Sequence, residues 1–175
     1  MEWNIYKPNA ESIKSIIKLH NVSKYIAIII DRYGLSDINK FKNFINPNFD
    51  NFYDPFLMKG MVKTVERISE TIRLKKKIFI IGDNDADGIT ATLLLYNEIK
   101  QNGGIVRTYI SNREIEGRGL SKKGINQAIN YKSDILITCD CGMNSYKNIE
   151  YANKNNIDVI ITDHHILNEN YPNAF

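Results

Sequence analysis

The sequence has few cysteines, and few prolines and tryptophans as well. Its 175 residues include two cysteines, one tryptophan and four prolines. Cys139 and Cys141 are only one residue apart, a spacing at which two cysteines cannot easily bridge each other. The sequence therefore does not indicate a disulfide scaffold, and we expect a reducing, cytoplasmic location.

Long apolar runs and a strong net charge are also missing. The longest apolar run near the N-terminus, Tyr25 to Ile30, is far too short to span a bilayer, and no secretion signal is evident. We therefore expect no membrane association. The formal net charge of +3 is too small to indicate nucleic-acid binding by itself. With 43% hydrophobic and 25% charged residues, the composition is that of an ordinary globular protein.

One stretch organises the rest of the chain: residues 77–92, KIFIIGDNDADGITAT. A predicted buried strand over 78–81 is followed by three aspartates at alternate positions, Asp83, Asp85 and Asp87. Three carboxylates this close repel one another unless a cation neutralises them. Their oxygens suit a hard divalent metal ion, so the stretch predicts a metal-binding loop at the end of a strand.

Strands and helices are predicted to alternate along most of the chain. The predicted strands cover 78–81, 105–110, 134–138 and 157–162. The predicted helices that follow or precede them lie near 61–73, 89–101, 121–130 and 144–153, after earlier helices near 11–20, 23–31 and 37–44. This alternation predicts an α/β fold: an open, mostly parallel sheet with helices on both faces, preceded by a short helical segment.

The chemically reactive residues fall where predicted strands end. Asp83 follows the first strand, Asp140 follows the third, and Asp163, His164 and His165 follow the fourth. The carboxyl ends of parallel strands share one edge of a sheet, where ligand crevices form. Carboxylates with imidazole suit Mn²⁺ or Mg²⁺ better than Zn²⁺, which favours thiolates. Enough ligands are present for two ions, the usual arrangement for displacement at phosphorus.

An EF-hand calcium loop is the main competing interpretation of the aspartates. The series Asp83, Asp85, Asp87, Gly88 matches the opening of such a loop. The loop requires a bidentate glutamate at its twelfth position, where this chain has Leu94. A predicted strand, not a helix, precedes the aspartates, so we reject the EF-hand interpretation.

Four ordered motifs then carry a family resemblance. The segments GDNDADGIT, NREIEGRGL, ITCDCGMNS and VIITDHH resemble the successive motifs of the DHH phosphoesterase superfamily. The glutamate-glycine-x-glycine-leucine loop and the FINPNF and DPF segments are similar to those of the RecJ exonucleases, which degrade single-stranded DNA from 5′ to 3′. The resemblance runs from about Phe41 to Phe175.

The resemblance implies roles for individual residues. It implies five metal ligands: Asp83, Asp85, Asp87, Asp140 and His164. It implies that Asp163 and His165 complete the catalytic group by supporting the ligands or contacting phosphate. It implies a substrate-binding set of Asn112, Arg113 and Arg118.

The resemblance also implies an organisation and an activity. Residues 1–57 would be a helical and aromatic lead-in, and residues 58–175 a DHH domain truncated at its C-terminal end. The complete protein would be a two-metal exonuclease, dependent on Mn²⁺ or Mg²⁺, that hydrolyses single-stranded DNA in repair and recombination. A single-stranded-DNA-binding protein and a helicase would be its partners. We expect this chain to be an incomplete piece whose own activity is open.

Two alternatives come from other functional classes. A DHH enzyme of small substrates would be an oligoribonuclease or cyclic-dinucleotide phosphodiesterase; many of these carry histidine where this chain has Asp83. A catalytically dead DHH binding scaffold is the other alternative, and the intact set of acidic ligands argues against it.

Electrostatics gives one further expectation. If the aspartates crowd one edge without a cation, two charges ~5 Å apart repel by on the order of 3 kcal/mol at an effective dielectric near 20. Replacing Asp85 by Asn is therefore expected to stabilise the metal-free protein while abolishing stabilisation by metal.

Overall fold

The structure is a computed structural model that describes residues 4–117, 119–168 and 170–174. The chain divides into two compact units, Met1–Leu57 and Met58–Phe175. None of the described helices is both long enough and apolar enough to cross a membrane.

The first unit is helical, as the sequence predicts. Its helices are α1 (Ala10–His20), α2 (Lys24–Arg32) and α3 (Ile38–Ile45), followed by two 3₁₀ turns at Phe49–Asn51 and Pro55–Leu57. Asn9, Ser23 and Asp37 cap the three helices by accepting hydrogen bonds from backbone N–H groups of the first turn. The unit buries a small core, made of Ile13, Ile16, Ala27 and Ile30.

The second unit is built on a four-stranded sheet. Its strands are β1 (Lys77–Gly82), β2 (Ile105–Ile110), β3 (Ile135–Cys139) and β4 (Asp158–Thr162). All neighbours pair in parallel, in the order β2-β1-β3-β4. Its helices are α4 (Met61–Arg73), α5 (Ala86–Gln101), α6 (Arg113–Glu116), α7 (Lys122–Tyr131) and α8 (Tyr146–Lys154). The predicted parallel α/β architecture is confirmed.

Helices cover both faces of this sheet because the central strands are apolar on both sides. Ile78 and Ile80 of β1 join a buried cluster packed by α4 and α5, whereas Phe79 and Ile81 face the cluster that includes α7 and α8. All five residues of β3 are buried. Continuous apolar runs of this kind are typical of parallel strands that are covered twice.

Helix α5 begins three residues before the predicted start near Ile89. Asp85 is its N-cap and Asp87 lies in its first turn. The predicted metal-binding loop is therefore largely the start of a helix. The partial positive charge of a helix N-terminus stabilises carboxylates there, so the acidic segment is compatible with a helix start. The polar segment after β2 likewise contains a short helix, α6, that the sequence did not predict.

Candidate metal centre

The candidate site lies at the carboxyl edge of the sheet. Asp83 directly follows β1 and Asp140 directly follows β3. These two strands are hydrogen-bonded neighbours in the sheet up to their ends. Asp83 N donates to Cys139 O at 3.1 Å, and Asp140 N donates to Thr162 O at 2.8 Å. The backbone ladder therefore extends to the first acidic residue after each strand and fixes their spacing.

Two glycines allow the start of α5 to approach the end of β1. A Cβ atom added to Gly82 would lie 2.1 Å from Thr92 Oγ1, and one added to Gly88 would lie 2.5 Å from the carbonyl oxygen of Asp83. Neither position can accept a side chain without displacing its neighbour. The two glycines thus hold the acidic turn against the sheet edge.

Asp85, Asp87 and Asp140 form the first group of possible metal ligands. Each offers one carboxylate oxygen, and the three oxygens lie within 4.8 Å of one another. Asp85 Oδ1 also accepts a hydrogen bond from Gly88 N at 3.3 Å, which lowers the pKa of Asp85. The side chain of Asp87 is 67% exposed, so this group opens to solvent on one side.

Asp140, His164 and His165 form the second group, so Asp140 belongs to both. His164 Nε2 lies 3.0 Å from Asp140 Oδ1 and 3.7 Å from Asp87 Oδ2. His165 Nδ1 lies 4.0 Å from Asp140 Oδ1. The buried Asp140 carboxylate is therefore shared by the first group, made of carboxylates, and the second group, which adds two imidazoles.

Asp140 is unusual in its backbone and in its surroundings. It has a φ of +60°, in the left-handed region that few non-glycine residues adopt. Its side chain is 5% exposed, yet both carboxylate oxygens lack a hydrogen bond from any described residue. His164 Nε2 is close to Oδ1 but is not aligned for one. Burial, together with the charges of Asp87 and Asp85, raises the pKa of Asp140.

Asp163 lies behind His165 and orients it. Asp163 Oδ1 is 2.7 Å from His165 Nδ1 and accepts the backbone N–H of His165 at 3.0 Å, and its Oδ2 accepts from Met143 N at 2.9 Å. Burial opposes ionisation of Asp163, but these hydrogen bonds outweigh it and lower the pKa. A carboxylate accepts from Nδ1 only when that nitrogen carries the proton, which leaves Nε2 as the nitrogen able to bind a cation.

Asp83 lies outside both groups. Its side chain is buried, and its Oδ1 accepts a hydrogen bond from Asn84 N at 2.9 Å. Of the five ligands implied by the resemblance, the structure thus brings four together, Asp85, Asp87, Asp140 and His164, and adds His165 to them.

The substrate-binding candidates lie after β2. Asn112 caps α6: its Oδ1 accepts from Glu114 N at 3.1 Å and from Ile115 N at 3.3 Å. Arg113 is the first residue of α6, and its charge adds to the effect of the Gly88 N–H in lowering the pKa of Asp85. Arg118 lies outside the described residues.

Glu116 is a residue of this edge that the sequence did not single out. Its Oε1 accepts from Tyr109 Oη at 2.6 Å and from Asn112 N at 3.1 Å, and its Oε2 accepts from Ser121 Oγ at 2.5 Å. Lys123 Nζ lies 3.6 Å from Oε1, and the Glu116 side chain is 4% exposed. Burial opposes its ionisation, but these partners outweigh burial and lower the pKa of Glu116 to about 2.

Glu116 therefore joins β2, the start of α6 and the N-cap of α7, and it holds the turn that carries Arg113. The available signal was its place in the NREIEGRGL motif. A glutamate in a polar segment is usually exposed, however, so the motif alone did not indicate a buried contact.

Comparison with known proteins gives a consistent family. A sequence profile described as "DHH family, N-terminal domain" matches residues 77–175. The single-stranded-DNA-specific exonuclease RecJ of Bacillus subtilis (strain 168) is 32% identical over 165 residues, which are 94% of this chain and 21% of that protein. The protein of the same name from Escherichia coli (strain K12) is 34% identical over 118 residues, 67% of this chain and 20% of that protein.

Solved structures agree with this comparison. A crystal structure of exonuclease RecJ bound to manganese matches with a TM-score of 0.63 and 31% identity, over 67% of this chain and 30% of that one. RecJ from Thermus thermophilus in complex with Mn²⁺ matches with a TM-score of 0.65 over 95% of this chain and 23% of that one; at 23% identity it supports the fold alone. The predicted resemblance to RecJ is confirmed. The chain spans about a fifth of the length of the curated relatives it matches.

Proposed function

We propose that this chain, which belongs to the DHH family, supplies the metal centre of an exonuclease that degrades single-stranded DNA from its 5′ end with Mn²⁺ or Mg²⁺. One observation carries the proposal: the buried Asp140 carboxylate is shared by two groups of possible ligands, and neither of its oxygens receives a hydrogen bond from a described residue. A buried carboxylate that accepts no hydrogen bond is costly unless a cation compensates it.

The donor set fits a hard divalent cation. Asp85, Asp87 and Asp140 offer three carboxylates, and His164 and His165 add imidazole nitrogens. Carboxylates suit Mg²⁺ and Mn²⁺, and imidazole suits Mn²⁺.

Thiolate ligation, which Zn²⁺ favours, is disfavoured at this site. Cys139 and Cys141 are buried, and burial raises the pKa of both thiols. Both side chains therefore stay protonated and are poor ligands at neutral pH.

The chain's own residues have distinct tasks in the proposed reaction. Asp140 would serve as a ligand in both groups, and Asp163 keeps the proton of His165 on Nδ1. Arg113 contacts a substrate phosphate, and Asn112 and Arg118 belong to the same substrate-binding segment. Asp83 supports the turn behind the ligands. When bound, two divalent cations supply water of lowered pKa and neutralise charge that develops at phosphorus.

The biological setting follows from the proposed reaction. Removal of single strands belongs to DNA repair and recombination in the cytoplasm, where a single-stranded-DNA-binding protein and a helicase would act with the complete protein. Residues 58–175 would form the DHH domain, with residues 1–57 as its lead-in. RecJ-named relatives at 32% and 34% identity support this setting over a small-substrate DHH enzyme.

End-labelled DNA tests the proposal directly. Because the relatives are longer, the assay uses both this chain and a chimera in which it replaces the matched segment of the Bacillus subtilis exonuclease. We expect Mn²⁺-dependent release of 5′-mononucleotides from single strands, with little attack on duplex, and at least about 100-fold less activity in the Asp140→Asn chimera. Digestion from the 3′ end, or equal digestion of duplex, would contradict the proposal.

A further inference from the structure

A polar cavity lies away from the candidate metal centre, between the edge strand β2 and helix α7. Its volume is about 560 Å³. Lys77, Arg107 and Tyr109 contribute from the strands, and Asn130 and Tyr131 from α7. In the described part of the chain β2 pairs with β1 alone, so α7 and the sheet edge leave this groove open along the strand.

Positive charge is concentrated in this groove. Arg107 Cζ lies 4.4 Å and Lys77 Nζ lies 5.1 Å from the centre of the Tyr131 ring. Lys77 Nζ also donates to Tyr131 O at 3.2 Å, and Lys132 lines the same cavity. The two cationic groups beside the ring are therefore held within about 10 Å of each other.

No carboxylate is among the described residues that line the groove. Two carboxylates lie nearby, and both already have partners: Asp134 Oδ2 accepts from Lys77 N at 2.8 Å, and Glu116 accepts from Tyr109 Oη. A second basic cavity, of about 300 Å³ between α7 and α8, differs because it includes Glu150, which pairs with Lys154 at 2.7 Å. Of these two cavities, the β2 groove is the one that combines several cations with an acid-free lining.

The groove and the acidic edge lie along the same strands, β1 and β2. Tyr109 lines the end of the groove nearer the acidic edge, and its Oη donates a hydrogen bond to Glu116. Glu116 also holds the turn that carries Arg113. Lys77 begins β1 and Asp83 follows it, so the lower end of the groove lies about 20 Å from the acidic edge, at roughly 3.3 Å per strand residue. A single strand of DNA with its 5′ end at the metal centre is long enough to reach the groove after a few nucleotides.

We propose that the β2 groove binds the sugar-phosphate backbone of single-stranded DNA several nucleotides downstream of the 5′ end, an inference that rests on the proposed function. Lys77 and Arg107 contact phosphates, and the neutral donors of Asn130 and Gln127 contact backbone oxygens. Charge contacts of this kind carry no sequence preference, as degradation of any single strand requires.

Strand length separates the groove from the metal centre in a binding experiment. Fluorescence anisotropy with Mn²⁺ would compare 5′-phosphorylated oligothymidylates of about 3 and about 12 nucleotides, with hydrolysis-resistant phosphorothioate linkages that keep the backbone charge. For the Lys77→Gln, Arg107→Gln double variant we expect about 10-fold weaker binding of the long strand, a salt slope reduced by one to two, and unchanged binding of the short strand.

The control removes the same charges from the helices on the other face of the sheet. Arg73 and Lys100 lie in the last turns of α4 and α5, so the Arg73→Gln, Lys100→Gln variant is expected to bind both strands like the wild type. Unchanged long-strand binding by the Lys77, Arg107 variant, or equal loss with the control, would overturn the proposal. The basic residues would then only protect the sheet edge from association.

Two further outcomes are informative. Oligoglutamate of matched charge that displaces the long strand as well as oligothymidylate does would overturn the nucleic-acid assignment in favour of an acidic protein partner. Short-strand binding that is insensitive to Asp140→Asn would contradict the proposed function, whereas selective loss of long-strand binding would still support the groove.

Discussion

Two buried carboxylates at the same edge of the sheet have opposite environments. Glu116 and Asp140 are almost equally covered, with side chains 4% and 5% exposed. Glu116 accepts three hydrogen bonds and lies beside Lys123, and its pKa falls to about 2. Asp140 receives no hydrogen bond from the described residues, and burial beside Asp87 and Asp85 raises its pKa.

The difference separates a carboxylate that stabilises the fold from one that serves a ligand. The protein itself supplies the partners of Glu116, so this charge contributes to stability. The protein supplies neighbours of the same charge to Asp140, so its ionised form is less favourable than that of Glu116 unless a cation is present. Burial alone would not have distinguished the two residues.

The largest effect expected from this comparison is on folding stability at Glu116. Glu116→Gln removes the charge and mismatches at least one of its partners, so we expect the free energy of unfolding to fall by about 2–3 kcal/mol. Urea denaturation at neutral pH would measure it, with Glu114→Gln on the exposed side of α6 as the matched control. A loss below about 0.5 kcal/mol in Glu116→Gln would show that the buried contacts do not stabilise the fold.

The contribution of Glu116 to the free energy of unfolding should also decrease at acid pH. The pKa of Glu116 is about 2 in the folded protein against an ordinary value of 4.5. Because the folded value is the lower one, its stabilisation is fully present above about pH 4.5 and is lost as the pH falls towards 2. The difference in unfolding free energy between wild type and Glu116→Gln should therefore shrink over this window in urea melts. A constant difference from pH 6 to pH 2 would contradict the assignment.

Smaller effects of opposite sign are expected at Asp140 and Asp85 when a chelator is present. Asp140→Asn should stabilise the metal-free protein by on the order of 1 kcal/mol, because it relieves the repulsion between a buried carboxylate and Asp85 and Asp87. Asp85→Asn should be neutral or destabilise by a few tenths of a kcal/mol, because Asp85 caps α5 through Gly88 N and asparagine caps equally well.

Thermal melts in chelator would compare these two variants. The sign for Asp85 reverses the expectation drawn from charge crowding alone, since the helix N-terminus compensates this carboxylate. Stabilisation by Asp85→Asn equal to that by Asp140→Asn would restore the crowding explanation.

The sequence predicted the sheet and the convergence of its strand ends because both follow from local patterns. Apolar runs indicated the buried strands, and parallel order placed Asp140 and the Asp163–His165 segment at one edge. It did not predict that Asp85 caps a helix, because the start of α5 depends on the packing of Gly82 and Gly88 against β1.

The sequence did not predict contacts between distant segments of the chain. The role of Glu116 depends on Tyr109 and Ser121, which lie on different elements. The groove beside Tyr131 depends on how far α7 covers β2. Neither relation leaves a periodic or spaced signal in the chain, so the sequence alone does not predict them.

Calorimetric titration of Mn²⁺ tests most directly whether Asp140 serves both ligand groups. With wild type we predict two bound ions; Asp87→Asn should weaken only one of them and His165→Gln only the other, each by about 10-fold or more. Asp140→Asn should weaken both. An Asp140→Asn protein that keeps one Mn²⁺ site at wild-type affinity would contradict the shared role of this carboxylate.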